Sequence, residues 1–214
     1  MGAAIERPGA QEWVPAEADV DGLREAAKGC RGCELYEPAS QVVFSAGPPT
    51  ATMVLVGEQP GDQEDRRGMP FVGPAGNLLV DAIRTAGIDP ASVYRTNAVK
   101  HFRFERRGTR RIHKTPEAVH ITACRPWLHA ELQVLEPRII VALGATAGRA
   151  LFGRVVKIGA ERGTVLEGAI KDSPALSMLT AHPSAVLRMR DTPDFDANYD
   201  LLVRDLRTAA AAAG

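Results

Sequence analysis

Short, uninterrupted apolar runs alternate along the chain with longer segments whose apolar residues recur every three or four positions. Thr52-Met53-Val54-Leu55-Val56 is one such run, ending at Gly57, and Ile139-Ile140-Val141-Ala142-Leu143, ending at Gly144, is the clearest. Runs of this length bounded by glycine predict strands buried on both faces. Val93 to Val99 reads as a further strand, and Leu176 to Thr180 as a weaker one. Leu78, Leu79, Ala82 and Ile83 have helical spacing and predict a helix over 75–86, stopped by Gly87. Other helices are predicted over 20–28, 116–136 (with Pro116 in the first turn), 145–151 and 195–212. The polar stretches Glu58–Pro74 and His101–Thr115 read as loops, and residues 1–20, with Pro8 and Pro15, as a loose leader to a single domain over 21–214.

A strand–helix alternation of this kind implies an α/β fold, a parallel sheet with helices on both faces. Sites in such sheets gather at the C-terminal ends of the strands. Those ends are Gly57-Glu58-Gln59-Pro60-Gly61, Asn97, Gly144 and His182-Pro183-Ser184, so polar residues collect where a site belongs. The 214 residues suit one domain with a full core. Lys+Arg and Asp+Glu both number 26, so any basic surface for nucleic acid must be local. No apolar run approaches the roughly 18 residues of a membrane span. Met1 to Asp21 lacks the apolar stretch of a signal peptide, and Glu6 stands where a myristoylation site wants Ser or Thr, so a cytoplasmic location is expected. Three cysteines, an odd number, favour metal ligation or burial over a disulfide framework.

Three segments carry candidate chemistry. Gly57-Glu58-Gln59-Pro60-Gly61-Asp62 places a base, an amide and a second carboxylate on a loop stiffened by glycine and proline, without a Walker or dinucleotide signature. Phe71, in Pro70-Phe-Val-Gly-Pro-Ala-Gly76, lies on a loop and not on an apolar face; an aromatic there can stack on a planar base or pin the loop to the core. Asn97 can donate to a base carbonyl and accept from its imide N–H, a pattern that suits uracil and mismatches cytosine; it can equally cap its own turn.

Together with His182-Pro-Ser184, these ordered motifs resemble the family 4 uracil-DNA glycosylases over nearly all of the chain from Cys30 onward. The resemblance implies a three-layer α/β/α sandwich around a four-stranded parallel sheet. It also implies that Asn97 reads uracil, Phe71 stacks on it and His182 bonds a uracil oxygen, with Gly57 and Gln59 bordering the base. Cys30-x-x-Cys33 is the opening half of a metal or cluster site. Family 4 places a cysteine directly after the Val-Lys pair, where this chain has His101. The ligand set implied is Cys30, Cys33, His101 and Cys124 around a 4Fe–4S cluster, although three Cys and one His would also suit zinc on ligand grounds.

Between two of these ligands lies Arg103 to Lys114, with six Arg or Lys in twelve residues. A basic loop can track DNA phosphates, and Arg110, Arg111 and Lys114, with Ser184 and Asp62, form the expected DNA-contacting and loop-holding set. Asp62 and Asp65 are a further expected tether for the loop through arginine. Arg110-Arg-Ile-His-Lys114 resembles the KRRIH loop of the UdgX proteins, with Thr109 in place of the leading Lys. Gln59 is a second UdgX mark, standing where ordinary family 4 members have Ala. This resemblance implies that His113 attacks C1′ of the sugar once uracil has left, with Glu58 accepting its proton or orienting it. The protein would then act once, as a monomer, on uracil-containing DNA, preferably single-stranded. Two rival readings stay open: a turnover glycosylase in which His113 merely contacts DNA, and a non-catalytic iron–sulfur module that binds single-stranded DNA. His120 and His129 fall in a predicted helix and read as structural or exposed.

Overall fold

A computed structural model describes residues 7–214. The regular elements, in chain order, are α1 (Val20–Ala27), β1 (Ser45–Ala46), β2 (Met53–Gly57), α2 (Asp62–Arg67), α3 (Pro74–Thr85), β3 (Tyr94–Asn97), β4 (Phe104–Arg107) and β5 (Arg110–His113). There follow α4 (Ala118–Leu135), β6 (Ile139–Leu143), α5 (Ala145–Phe152), α6 (Ile158–Glu161), β7 (Val165–Leu166), β8 (Leu176–Thr180), α7 (Pro183–Leu187) and α8 (Phe195–Ala213).

The four expected strands β2, β3, β6 and β8 pair in parallel, with β3 and β6 on either side of β2 and β8 beyond β6. The sheet is wider than the expected four strands, because β1 and β7 add short antiparallel edges and make it six-stranded. Each edge strand is two residues long, too short to leave a periodic trace in the sequence.

Every residue of β2 and β6 is buried. Alternate side chains serve opposite layers. Val54, Val56, Ile140 and Ala142 pack with Leu23, Ile121, Trp127 and Leu151 on one face. Leu55, Ile139, Val141 and Leu143 pack with Leu79, Ile83, Leu202 and Leu206 on the other. The connection from β3 to β6 steps over β2. Loops leaving β2 and β6 therefore diverge, and the crevice between them is the topological switch point at which ligands bind in open α/β sheets.

Three expectations are corrected. The loop over 58–74 contains α2, a helix of charged residues whose entry is held by the Glu64 carboxylate accepting from the Gly61 N–H at 2.5 Å. The basic stretch is an antiparallel β-hairpin, β4 to β5. Residues 1–6 of the expected leader lie outside the described residues, but residues 7–19 are not loose. The Gly9 N–H donates to the Gly32 carbonyl at 2.9 Å, Ala10 is buried, and the Arg7 guanidinium donates to the Glu34 carboxylate. The close approach is possible because Gly32 lacks a side chain: a Cβ there would lie 2.7 Å from the Gly9 backbone.

Candidate active site

Glu58, Gln59, His113, Thr115, Gly144, Thr146, His182, Ser184 and Arg188 line one cavity of about 260 Å³ at the C-terminal ends of the strands. Two larger clefts lie around the end of α4 and residues 168–174, away from the strand ends.

Three loops aim the polar groups. Glu58 follows β2, and its carboxylate accepts a hydrogen bond from Thr146 Oγ1 across the switch point. His182 caps α7: its Nδ1 accepts from the Ser184 backbone N–H at 3.1 Å and lies 2.8 Å from Ser184 Oγ. In the neutral ring the proton is then on Nε2, leaving a donor free for a ligand. Burial, with smaller contributions from His113 and Arg188, lowers the His182 pKa to about 4, so the ring is neutral at physiological pH. Gly144 permits this approach, since a Cβ there would sit 2.9 Å from His182 Cβ.

Gln59 holds the hairpin at its base. Its Oε1 accepts from the Arg103 N–H at 3.0 Å, which fixes the amide so that Nε2 donates. Nε2 reaches the carbonyls of Arg103 (3.2 Å) and Lys114 (3.1 Å) and His113 Nε2 (3.0 Å). The amide has two protons for these three neighbours, so its contact with His113 Nε2 places the ring without fixing its tautomer. Glu58 Oε1 lies 3.6 Å from the same nitrogen. Burial depresses the His113 pKa and Arg188 adds to this, while Glu58 opposes.

Arg111 clamps the hairpin from its other face. Its Nε donates to Asp62 Oδ1 at 2.5 Å, and Nη1 to Asp65 Oδ2 at 2.6 Å and Ser40 Oγ at 3.1 Å. The guanidinium also lies over Phe102 and Phe104. The expected tether through Asp62 and Asp65 is thus present. The Arg111 side chain, 6% exposed, is engaged with Asp62, Asp65 and Ser40. Lys114 pairs with Glu105 at 2.8 Å. The exposed cations of the hairpin are those at its tip, Arg106, Arg107 and Arg110. Ser184, expected with the DNA-contacting residues, lines the cavity with its Oγ 2.8 Å from His182 Nδ1.

Phe71 and Asn97 meet around Gly57. A Cβ on Gly57 would lie 2.3 Å from Asn97 Oδ1 and 2.8 Å from Phe71 Cζ, so the missing side chain is what lets these two side chains close over the strand end. Phe71 is buried with a φ of 57°, and Gly76 makes room for its backbone. Among the described residues the Asn97 side-chain amide has no protein partner. These two residues adjoin the cavity through Gly57–Glu58 and are not part of its lining. Thr146 and Arg188 belong to the cavity and were not anticipated. Thr146 follows the strand-end Gly144, a position that could have marked it; Arg188 lies four residues past the His-Pro-Ser turn on a helix too short to show a pattern.

Cys30, Cys33 and Cys124 are all buried and form no disulfide. Burial pushes the Cys33 thiol up to about 11 and the Cys124 thiol up to about 12, with smaller contributions from Cys30 to both and from Cys33 to Cys124. Trp127 Nε1 donates to Cys30 Sγ at 3.2 Å and the Lys100 N–H to Cys124 Sγ at 3.3 Å. His101 is buried, and burial lowers its pKa to about 4. Among the described residues no three His, Cys, Asp or Glu side chains are disposed to hold a single metal ion. His120 is structural: its Nδ1 accepts from the Glu117 N–H at 3.0 Å, and Nε2 lies 2.9 Å from Glu34.

A parallel α/β/α domain with a histidine- and carboxylate-lined cavity at its switch point is the arrangement of an enzyme. The family model of the uracil DNA glycosylase superfamily matches residues 44–207, and the chain belongs to that superfamily. It is similar to type-4 uracil-DNA glycosylases. It is 35% identical to that of Pyrobaculum aerophilum over 174 residues, covering 79% of this chain and 85% of the relative. It is 38% identical to that of Thermotoga maritima over 171 residues (78% and 83%) and 32% identical to that of Sulfurisphaera tokodaii over 173 residues (78% and 76%). Among the described residues no helix is long and apolar enough to cross a membrane.

Proposed function

We propose that this chain excises uracil from DNA and that His113 then captures the resulting sugar. The excision half is supported by membership of the superfamily, by the type-4 relatives and by the strand-end site. The base enters the strand-end cavity beside Gly57–Glu58, against Phe71 and Asn97. Flipping it out costs a few kcal/mol of unstacking, less in a single strand, which is the basis for a single-strand preference. As the C1′–N bond breaks, its electron pair goes to uracil, and the neutral His182 donates from Nε2 to the charge developing on the base. A donor so placed is worth about 3–4 kcal/mol. Glu58, held by Thr146, faces the cationic sugar.

Capture is supported by one observation: His113 Nε2 lines the cavity, 3.0 Å from Gln59 Nε2 and 3.6 Å from Glu58. In the tautomer protonated on Nδ1, the Nε2 lone pair forms the bond to C1′ and the Nδ1 proton departs to solvent, leaving a neutral alkylated imidazole. Glu58 then acts by stabilising positive charge and not by taking a proton from Nε2. A positioned nucleophile outcompetes water through effective molarity. The type-4 relatives favour a second reading, turnover hydrolysis by water with His113 as a bystander, and the comparisons support that reading better than capture.

The three buried thiols, two of them receiving N–H hydrogen bonds, suit a soft group. They are not gathered for one zinc ion, whose thiolates would stand about 3.8 Å apart. A 4Fe–4S cluster held by Cys30, Cys33, Cys124 and His101 is the proposed occupant, with a structural role. The test is to incubate the protein with a labelled single-stranded oligonucleotide carrying one uracil, boil it in SDS and run a denaturing gel beside His113→Ser. A heat-stable shifted band lost in the variant is expected. An alkali-labile abasic site without a band supports turnover, and unchanged DNA contradicts both.

A further inference from the structure

Behind Asn97 lies a fully buried ion pair that excision does not use directly. The side chains of Lys100 and Glu131 are 1% and 0% exposed, and the ammonium donates to the Glu131 carboxylate. Lys100 Nζ also donates to Thr96 Oγ1 at 2.6 Å and to the Asn97 carbonyl at 3.0 Å. Glu131 in turn accepts from Tyr94 OH at 2.9 Å and Thr96 Oγ1 at 3.0 Å. Burying two charges is expensive, and well-packed apolar residues often serve stability as well or better. The pair therefore calls for a purpose other than stability.

Its contacts supply one. Lys100 touches Asn97 and, through its backbone N–H, the Cys124 sulfur. Its ammonium further lies 4.8 Å from the centre of the Phe44 ring, which packs edge-on against Trp127, the donor to Cys30. Glu131 lies on α4 two turns beyond Cys124, so the pair ties the end of β3 to the helix that carries a thiol.

We propose that Lys100 and Glu131 are positioning residues that hold the base-facing Asn97 and the Cys124 thiol in one fixed relation. The proposal rests on the reading of Asn97 as the residue that grips uracil. The test compares wild type, Lys100→Met/Glu131→Leu, Thr96→Val, Thr96→Ser and Asn97→Ala in single-turnover excision with protein in excess. That regime separates the half-saturating protein concentration from the maximal rate. Visible absorption of the proposed cluster and tryptophan emission are read on the same samples.

The double variant leaves no unpaired buried charge. It is expected to raise the half-saturating concentration about tenfold, the worth of one charge-assisted hydrogen bond, with a much smaller change in maximal rate. Its absorption and tryptophan emission are expected to shift from wild type. Thr96→Val, which removes only a hydroxyl, should move the half-saturating concentration in the same direction, and Thr96→Ser should restore it. A folded double variant with unchanged half-saturation and unchanged spectra overturns the proposal. If the double variant does not fold, the Thr96 pair decides alone: equal behaviour of Val and Ser overturns the proposal. Asn97→Ala distinguishes the two claims, because normal excision by that variant refutes the reading of Asn97 itself.

Discussion

Replacing Arg111 with Met separates capture from excision. The guanidinium bridges Asp62 and Asp65, and the Asp65 side chain is 0% exposed. Without Arg111, Asp65 retains the Ser40 N–H at 3.0 Å as a remaining donor and loses its countercharge. Removing one partner of a buried pair costs about 3–5 kcal/mol. Gln59 still holds the base of the hairpin, so the lower figure is the appropriate one for docking. About 3 kcal/mol corresponds to roughly a hundredfold loss of the hairpin conformation that points His113 into the cavity. Glu58, His182, Asn97 and Phe71 are carried by other loops and stay in place. The assay mixes excess protein with a uracil oligonucleotide and scores each time point twice, once for the SDS-stable adduct and once for alkali cleavage. Capture should slow about a hundredfold while excision changes far less. Arg111→Lys, which keeps the charge without the planar fork, should fall between the two. Parallel loss of capture and excision, or no loss of either, would refute the reasoning.

Other outcomes follow from single features of the site. Gly57→Ala puts a methyl 2.3 Å from Asn97 Oδ1 and 2.8 Å from Phe71 Cζ, displaces both side chains, and should abolish excision and lower the thermal unfolding midpoint; Gly57→Ala protein with wild-type excision would remove Asn97 and Phe71 from the base site. His182 is neutral when folded down to a pH of about 4, whereas unfolded histidine titrates near 6.5. Its contribution is therefore fully present above pH 6.5 and lost as pH falls toward 4, by about 3 kcal/mol. Urea titrations of wild type and His182→Gln across that range check this, and identical slopes against pH would contradict it. Cys124→Ala should bleach the visible absorption of the purified protein and lower its unfolding temperature; a colourless wild type with full stability would remove the cluster from the account.

Much of the fold is legible because β2 and β6 are buried on both faces and stop at glycines, while α3 carries its apolar residues at helical spacing. The hairpin is not legible in this way. Phe104 to His113 shows no apolar alternation, and its strands are held by Arg111 over Phe102 and Phe104 and by ion pairs to α2, which are contacts between distant segments. The charged helix α2 is hidden for a similar reason: its entry depends on Glu64 and its exit on Gly68, not on an apolar stripe. At the site, the residue types at the strand ends could be read from the motifs, but their working relations could not. That Gln59 fixes the amide geometry facing His113, that Thr146 holds Glu58, and that Arg188 faces both histidines all depend on loops brought together by the switch point.

The central claim is that this cavity breaks the bond between uracil and its sugar. The most direct measurement is the free uracil released from matched oligonucleotides carrying uracil, cytosine or thymine, for wild type and for the double variant Asn97→Ala/His182→Ala. Release from the uracil strand alone, lost in the double variant, is the expected result. Wild-type protein that binds the uracil strand yet releases no base, or a double variant that releases it at the wild-type rate, would contradict the account.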